Sequence, residues 1–158
     1  MATEQETSEA LIRIRVPLDP AQGTSGPTED WLWAEPLGSD RFRIESCPFF
    51  AYGVSRDDVV RAVETAGEDA PWLEDVVEKG GHRTLRIALD PGVDLADGSV
   101  QGLLERLLEI GCTHEALRPK LVAIDVPPQV DVAIVAELLQ ALVGDRTLLW
   151  EWADPRPS

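Results

Sequence analysis

"HRTLRIALDPGVDLADGSVQGLLERLLEIG", His82 to Gly111, changes its hydrophobic period halfway along, and that change decides the fold. The first eight residues read as a strand, with Leu85, Ile87 and Leu89 on one face. "PGVDLADGS" is a loop ending in Ser99 as the expected N-cap. Val100, Leu103, Leu104, Leu107 and Leu108 then recur at helical spacing, and Gly111 stops the helix.

The pattern continues downstream. "CTHEALRP" is a short, edge-like strand, and "LVAIDV" is apolar nearly throughout, as an interior strand covered on both faces should be. Pro127 and Pro128 end it. Asp131 caps a second helix carrying Val135, Leu138, Leu139 and Leu142, with Gly144 at its stop. "TLLWEW" closes as a strand. The order over residues 81–153 is therefore βαββαβ, the ferredoxin-like split βαβ unit. Both helices should pack on one face of a four-stranded antiparallel sheet whose first and third strands lie in the middle.

Upstream, the signals are those of short strands. "LIRIRVPL" alternates Ile12, Ile14 and Val16 against Arg13 and Arg15, while "DPAQGTSGPTED" is a loop. "WLWAEPL", with Trp31 and Trp33 on one face, forms a hairpin with "RFRIESC" through a Gly-containing turn. In "CPFFAYGVSRDDVV", Pro48 ends or bulges the strand and Gly53 turns the chain back. Ser55 to Asp58 fits a capping box, but the valines of "DDVVRAVE" favour a strand over a helix. "PWLEDVVEKGGHRTLRIAL" reads as a second hairpin turning at Gly80-Gly81 with positive φ.

The expected class is α+β. A small N-terminal β-barrel-like or curled antiparallel sheet (10–80) packs on the ferredoxin-like unit (81–153), with tails at 1–9 and 154–158. The front half should cover part of the open sheet face, where Trp150 and Trp152 need burial.

Composition narrows the function classes. The 158 residues are 44% apolar and 27% charged, which is globular rather than disordered. No apolar run approaches the ~20 residues of a membrane span. "MATEQETSEA" has neither the pattern of a secretory signal nor that of a mitochondrial presequence, so cytoplasmic residence is the expectation. A formal charge of −15 argues against nucleic-acid binding and against anionic membranes, and permits a basic partner. Cys47, Cys112, His82 and His114 lack the close spacing of a zinc site, so no metal and no cofactor are expected.

"WLWAEPLGSDRFRIESCPFFAYGVSRDDVVRAV", "GGHRTLR" and "LVAIDVPP" together resemble a bacterial family known only as a domain of unknown function, number four-two-six-five. The matching positions are Trp33, Ala34, Pro36 and Leu37, then Pro48, Phe49 and Phe50, then Gly53, Val54 and Ser55. Asp58, Val59 and Val60, and Gly81 with His82, complete the likeness, which spans residues 30–152. It departs at Ser46-Cys47, where an Asn-Ile type pair is expected, and this weakens Cys47 as a shared nucleophile. The resemblance implies membership and no activity.

Catalytic constellations are weak. Cys47 with His82 is the one plausible nucleophile–base pair, and a Ser55, His82, Asp58 triple lacks a G-x-S-x-G elbow. No P-loop, dinucleotide fingerprint or H-E-x-x-H is present. Asp57-Asp58 reads as a turn bonding backbone amides. Asp125 should sit at the exposed end of its strand or, if buried, should find a partner such as Arg86 or a backbone donor. A pocket between the halves would be lined by Phe49, Phe50, Tyr52, Asp58 and His82. The leading reading is a non-catalytic cytoplasmic accessory protein, of immunity type in its sharpest form, binding a basic protein or small ligand. The alternatives are an enzyme using the Cys47–Asp58/His82 corner and an acidic mimic of nucleic acid.

Overall fold

The computed structural model describes residues 11–18, 28–117, 120–144 and 147–154. The expected tail at 1–9, residues 155–158 of the expected 154–158 tail and most of the 19–30 loop lie outside them.

The front half is a closed barrel of five strands in sequence order: β1 Ile12–Pro17, β2 Glu29–Gly38, β3 Arg41–Ile44, β4 Val59–Val63 and β5 Trp72–Glu78. Strand alternation drives it. Ile14, Leu32, Ala34, Ile44, Val60 and Ala62 point inward and are buried together. With five strands in a meander, the first and last run the same way, and β1 meets β5 in parallel at Arg15 and Trp72. The outer face stacks Arg13 over Trp31 (4.5 Å) and Trp33 (5.8 Å), and Arg15 over Trp31 (5.0 Å) and Trp72 (4.5 Å). The residues after Asp58, Val59–Val63, form a strand, not a helix, because Val60 and Ala62 fill the barrel at period two.

The back half contains β6 Arg83–Leu89, α1 Gly98–Glu109, β7 Thr113–Leu117, β8 Leu121–Val126, α2 Val132–Gly144 and β9 Leu148–Asp154. Its sheet has the order β7-β8-β6-β9 with every neighbouring pair antiparallel. Leu85 and Ile87 of β6, Val122 and Ile124 of β8, and residues of both helices share one buried cluster, so the helices lie on the same side. Burying Val100, Leu103, Leu104 and Leu107 stabilises α1 against the sheet by about 1.5–3 kcal/mol per side chain. Leu108 falls off this stripe and stays 59% exposed.

Several local expectations are corrected. β5 and β6 do not form a hairpin: β5 belongs to the barrel and β6 to the sheet. Only Gly81 of the glycine pair has positive φ, while Gly80 allows a close approach, since a Cβ there would lie 2.3 Å from the Asp57 carbonyl oxygen. The N-cap of α1 is Asp97, which accepts from the backbone and hydroxyl of Ser99. Glu29 and Asp30 belong to β2 rather than to the loop, and β9 runs on through Ala153 to Asp154, which is fully buried rather than part of a tail. Trp150 and Trp152 pack edge to face on the helix side, because they share strand parity with Leu148. The barrel-facing side of the sheet is covered by other residues.

Candidate functional site

The side of the sheet away from the helices is polar and buried. Strand parity that sends Leu85 and Ile87 toward the helices sends Thr84 and Arg86 the other way, and likewise Asp125 beside Ile124. The register lines these into two rungs across the strands. One runs Glu115, Ala123, Arg86, Glu151, and the other Thr113, Asp125, Thr84, Asp154. A polar face at the middle of a sheet must find partners or be expelled from the interior.

The partners come from residues 46–58. Ala51 and Val54 plug the barrel core, while the polar groups around them face the sheet. On the first rung, the Cys47 amide donates to Glu115 (3.2 Å), and Arg86 donates to the carbonyls of Pro48 (3.4 Å) and Ala51 (2.9 Å). The Tyr52 ring lies 4.6 Å from the Arg86 guanidinium, and its hydroxyl donates to Glu151 at 2.8 Å. On the second rung, the Ser55 hydroxyl sits 2.7 Å from both Thr84 Oγ1 and Asp154 Oδ2. Lys79 bridges Asp58 and Asp154, both fully buried. Asp58 also accepts from the amides of Ser55 and Gly80, each at 2.9 Å. Asp30, turned into the barrel mouth, accepts from the amides of Phe50 and Ala51.

His82 and Asp125 complete the seam at 2.8 Å, Nδ1 to Oδ1. Asp125 is 3% exposed, so it does not end in solvent, and its side-chain partner is the half-buried His82 rather than Arg86. Burial pushes its carboxyl above the ordinary range, and the His82 hydrogen bond only partly opposes this. The Cys47 thiol is raised further, first by burial and then by the charges of Asp125 and Glu115. Cys112 is raised to about 11 by the same two causes, burial and Asp125.

The five residues singled out from the sequence are thus dispersed along the seam. Asp58 is closed to solvent, Phe49 and Phe50 are half-buried, Tyr52 is 41% exposed, and His82 lies at an edge. Sequence reading missed Lys79, Thr84, Glu115 and Asp154. The available signal was Thr84 and Arg86 alternating with Leu85 and Ile87 on a central strand, which requires a covered polar face. Among the described residues no group of three or more His, Cys, Asp or Glu is placed to hold a metal ion. None of their helices is long and apolar enough to cross a membrane.

A different opening lies on the far side of the sheet. Between α1 and α2 runs a groove of about 450 Å³, with Leu103, Leu138, Ala141 and Leu142 along it and Glu105, Glu109 and Glu137 at its rim.

The fold is similar to that of a hypothetical protein from Neisseria gonorrhoeae known from a crystal structure. The TM-score is 0.75 at 16% identity, covering 90% of this chain and 93% of that one. No curated protein matches the chain. A family model described as "Domain of unknown function (DUF4265)" matches residues 30–152, and the chain belongs to that family.

Proposed function

We propose that the chain is a non-catalytic binding protein that acts in the cytoplasm on a basic protein partner, with neutralisation of that partner, an immunity-type role, as its sharpest form. The back half is read as a ferredoxin-like βαββαβ scaffold. Its strand order and one-sided helices are what such a unit requires, and the architecture hosts binding functions of many kinds.

The observation that carries this reading is the state of the corner. A cysteine nucleophile needs a lowered pKa and access. Cys47 is 2% exposed and its thiol is held protonated by burial and by two carboxylates. Asp58, Ser55 and Arg86 are occupied with internal bonds that fasten the barrel to the sheet. The chemistry-bearing residues of the corner therefore support architecture, and the exposed surface carries carboxylates in excess of its arginines. Glu78 on β5 and Glu105, Glu109 and Glu137 on the helices are exposed, as are Glu74 and Asp75, which pair with Arg61. Complementary charge would steer a basic partner to such a surface. Two free buried cysteines suit a reducing compartment.

The test is capture from a native lysate on immobilised protein, followed by a salt gradient. A stoichiometric basic protein should be released as salt rises, and Cys47→Ala and His82→Ala variants should capture it equally well. A lysate yielding no such protein, or capture abolished by either substitution in a folded variant, would overturn the reading.

A further inference from the structure

We propose that the groove between α1 and α2 is the docking site for a cationic amphipathic helix of the partner, its apolar stripe seated in the groove and its lysines or arginines over the rim. This rests on the basic-partner reading and gives it a location.

The groove has the chemistry of that occupant. Its floor is apolar, from Leu103 on one helix and Leu138, Ala141 and Leu142 on the other. Ile134, one turn before Leu138, is 45% exposed and extends the apolar strip. Gly102 keeps the α1 wall low, because a Cβ there would meet nothing within 4 Å. A glycine inside a helix disfavours it by about 1 kcal/mol relative to alanine, so the recess is held against local propensity.

The rim is net acidic, with three glutamates to one arginine. Glu105 and Glu109 stand one turn apart on α1, Glu137 faces them from α2, and Arg106 is the cation beside them. Like charges four apart weaken a helix, and none of the three glutamates is ion-paired with a described residue. The lining on α1 runs from Ser99 to Glu109, about 15 Å at 1.5 Å per residue, which accommodates about three turns of a helix. A helix laid in a groove reads anchors at i, i+3 or i+4, and i+7. Basic residues beside those anchors would fall over the glutamates. An acidic segment would meet like charge there.

Fluorescence anisotropy tests this with the full chain and three labelled 18-residue probes. One is a leucine–lysine helix with its leucines on one stripe, one has the same composition in a non-amphipathic order, and one is oligolysine. The striped probe should bind best. Gly102→Leu, whose Cβ would start in open space and whose side chain would occupy the recess, should weaken it at least about tenfold, as should combined Glu105→Gln, Glu109→Gln and Glu137→Gln. If the striped probe binds folded Gly102→Leu and the glutamine variant as tightly as wild type, the groove assignment is overturned and the basic-partner reading stands. Equal binding of all three probes has the same meaning. If no cationic probe binds at low salt, both fall.

Discussion

Replacing Lys79 by methionine probes the fastening of barrel to sheet most directly. Its ammonium lies between Asp58 and Asp154, whose side chains are fully buried, and its own side chain is 13% exposed. Lys79→Met keeps the stem and its packing and takes the ammonium away from two buried carboxylates, which retain the amides of Ser55 and Gly80 and the Ser55 hydroxyl as donors. Removing one partner of a buried ion pair costs about 3–5 kcal/mol, because desolvation of the remaining charge is no longer offset. With a urea slope of about 2 kcal/mol/M, a loss of about 4 kcal/mol lowers the midpoint by about 2 M. Lys79→Met with Asp58→Asn and Asp154→Asn should recover much of it. Unfolding is followed by tryptophan fluorescence and by far-ultraviolet circular dichroism. Coincident curves are expected, since the seam joins the halves into one cooperative unit. A loss below about 1 kcal/mol would refute the reasoning.

The two seam and groove glycines should respond in opposite directions. Gly80→Ala drives a Cβ into the Asp57 carbonyl and should cost about 1–3 kcal/mol in urea unfolding, whereas Gly102→Ala meets open space in a helix and should stabilise by about 0.5–1 kcal/mol. The Asp125 carboxyl is raised on folding, so between its unfolded and folded values the native state holds the extra proton and stability falls as pH rises. Asp125→Asn removes that titration; its stability relative to wild type should improve from pH 3 to pH 7, measured by denaturant midpoints, and a flat or opposite trend would contradict the burial cause. Both thiols, buried with raised pKa, should react with an aromatic disulfide reagent at pH 8 at least about tenfold more slowly in the native protein than in urea.

The parts of the fold legible in the sequence are those where one period dominates a long segment. Val100 to Leu107 and the alternation through Leu85, Ile87 and Leu89 carry their own geometry. What was illegible depends on pairing at a distance. "WLEDVVEKGGHRTLRI" looks like a hairpin because two strand patterns flank two glycines, and nothing local shows that β5 closes a barrel while β6 enters another sheet. The glycines serve a crossing instead, with the Gly80 site pressed on the Asp57 backbone. The corner at Cys47 to Asp58 was recognisable as a chain reversal rich in aromatics. Its partners were not, because Glu115, Glu151 and Asp154 come from strands 60 to 100 residues away. Trp150 and Trp152 were sent to the wrong face because parity from Leu148 had to be counted before need of burial was considered.

The same seam changes how the acidic composition bears on function. A formal charge of −15 counts every carboxylate alike. Asp30, Asp58, Asp125 and Asp154 are buried, however, and each is held by amides, a hydroxyl, Lys79 or His82. They cannot attract a partner, and they act instead as acceptors that fix where residues 46–58 cross the sheet. An apolar interface of the same area would tolerate sliding, whereas two rungs of unlike donors and acceptors are satisfied in one register, since a shift of one residue would leave Arg86 and Asp125 buried without partners. The charge available for recognition is the exposed remainder, and its position matters more than its sum. Around the α1–α2 groove it borders apolar surface, which supplies contact area that carboxylates alone lack. Specific binding of a basic segment requires both, and this groove places them together.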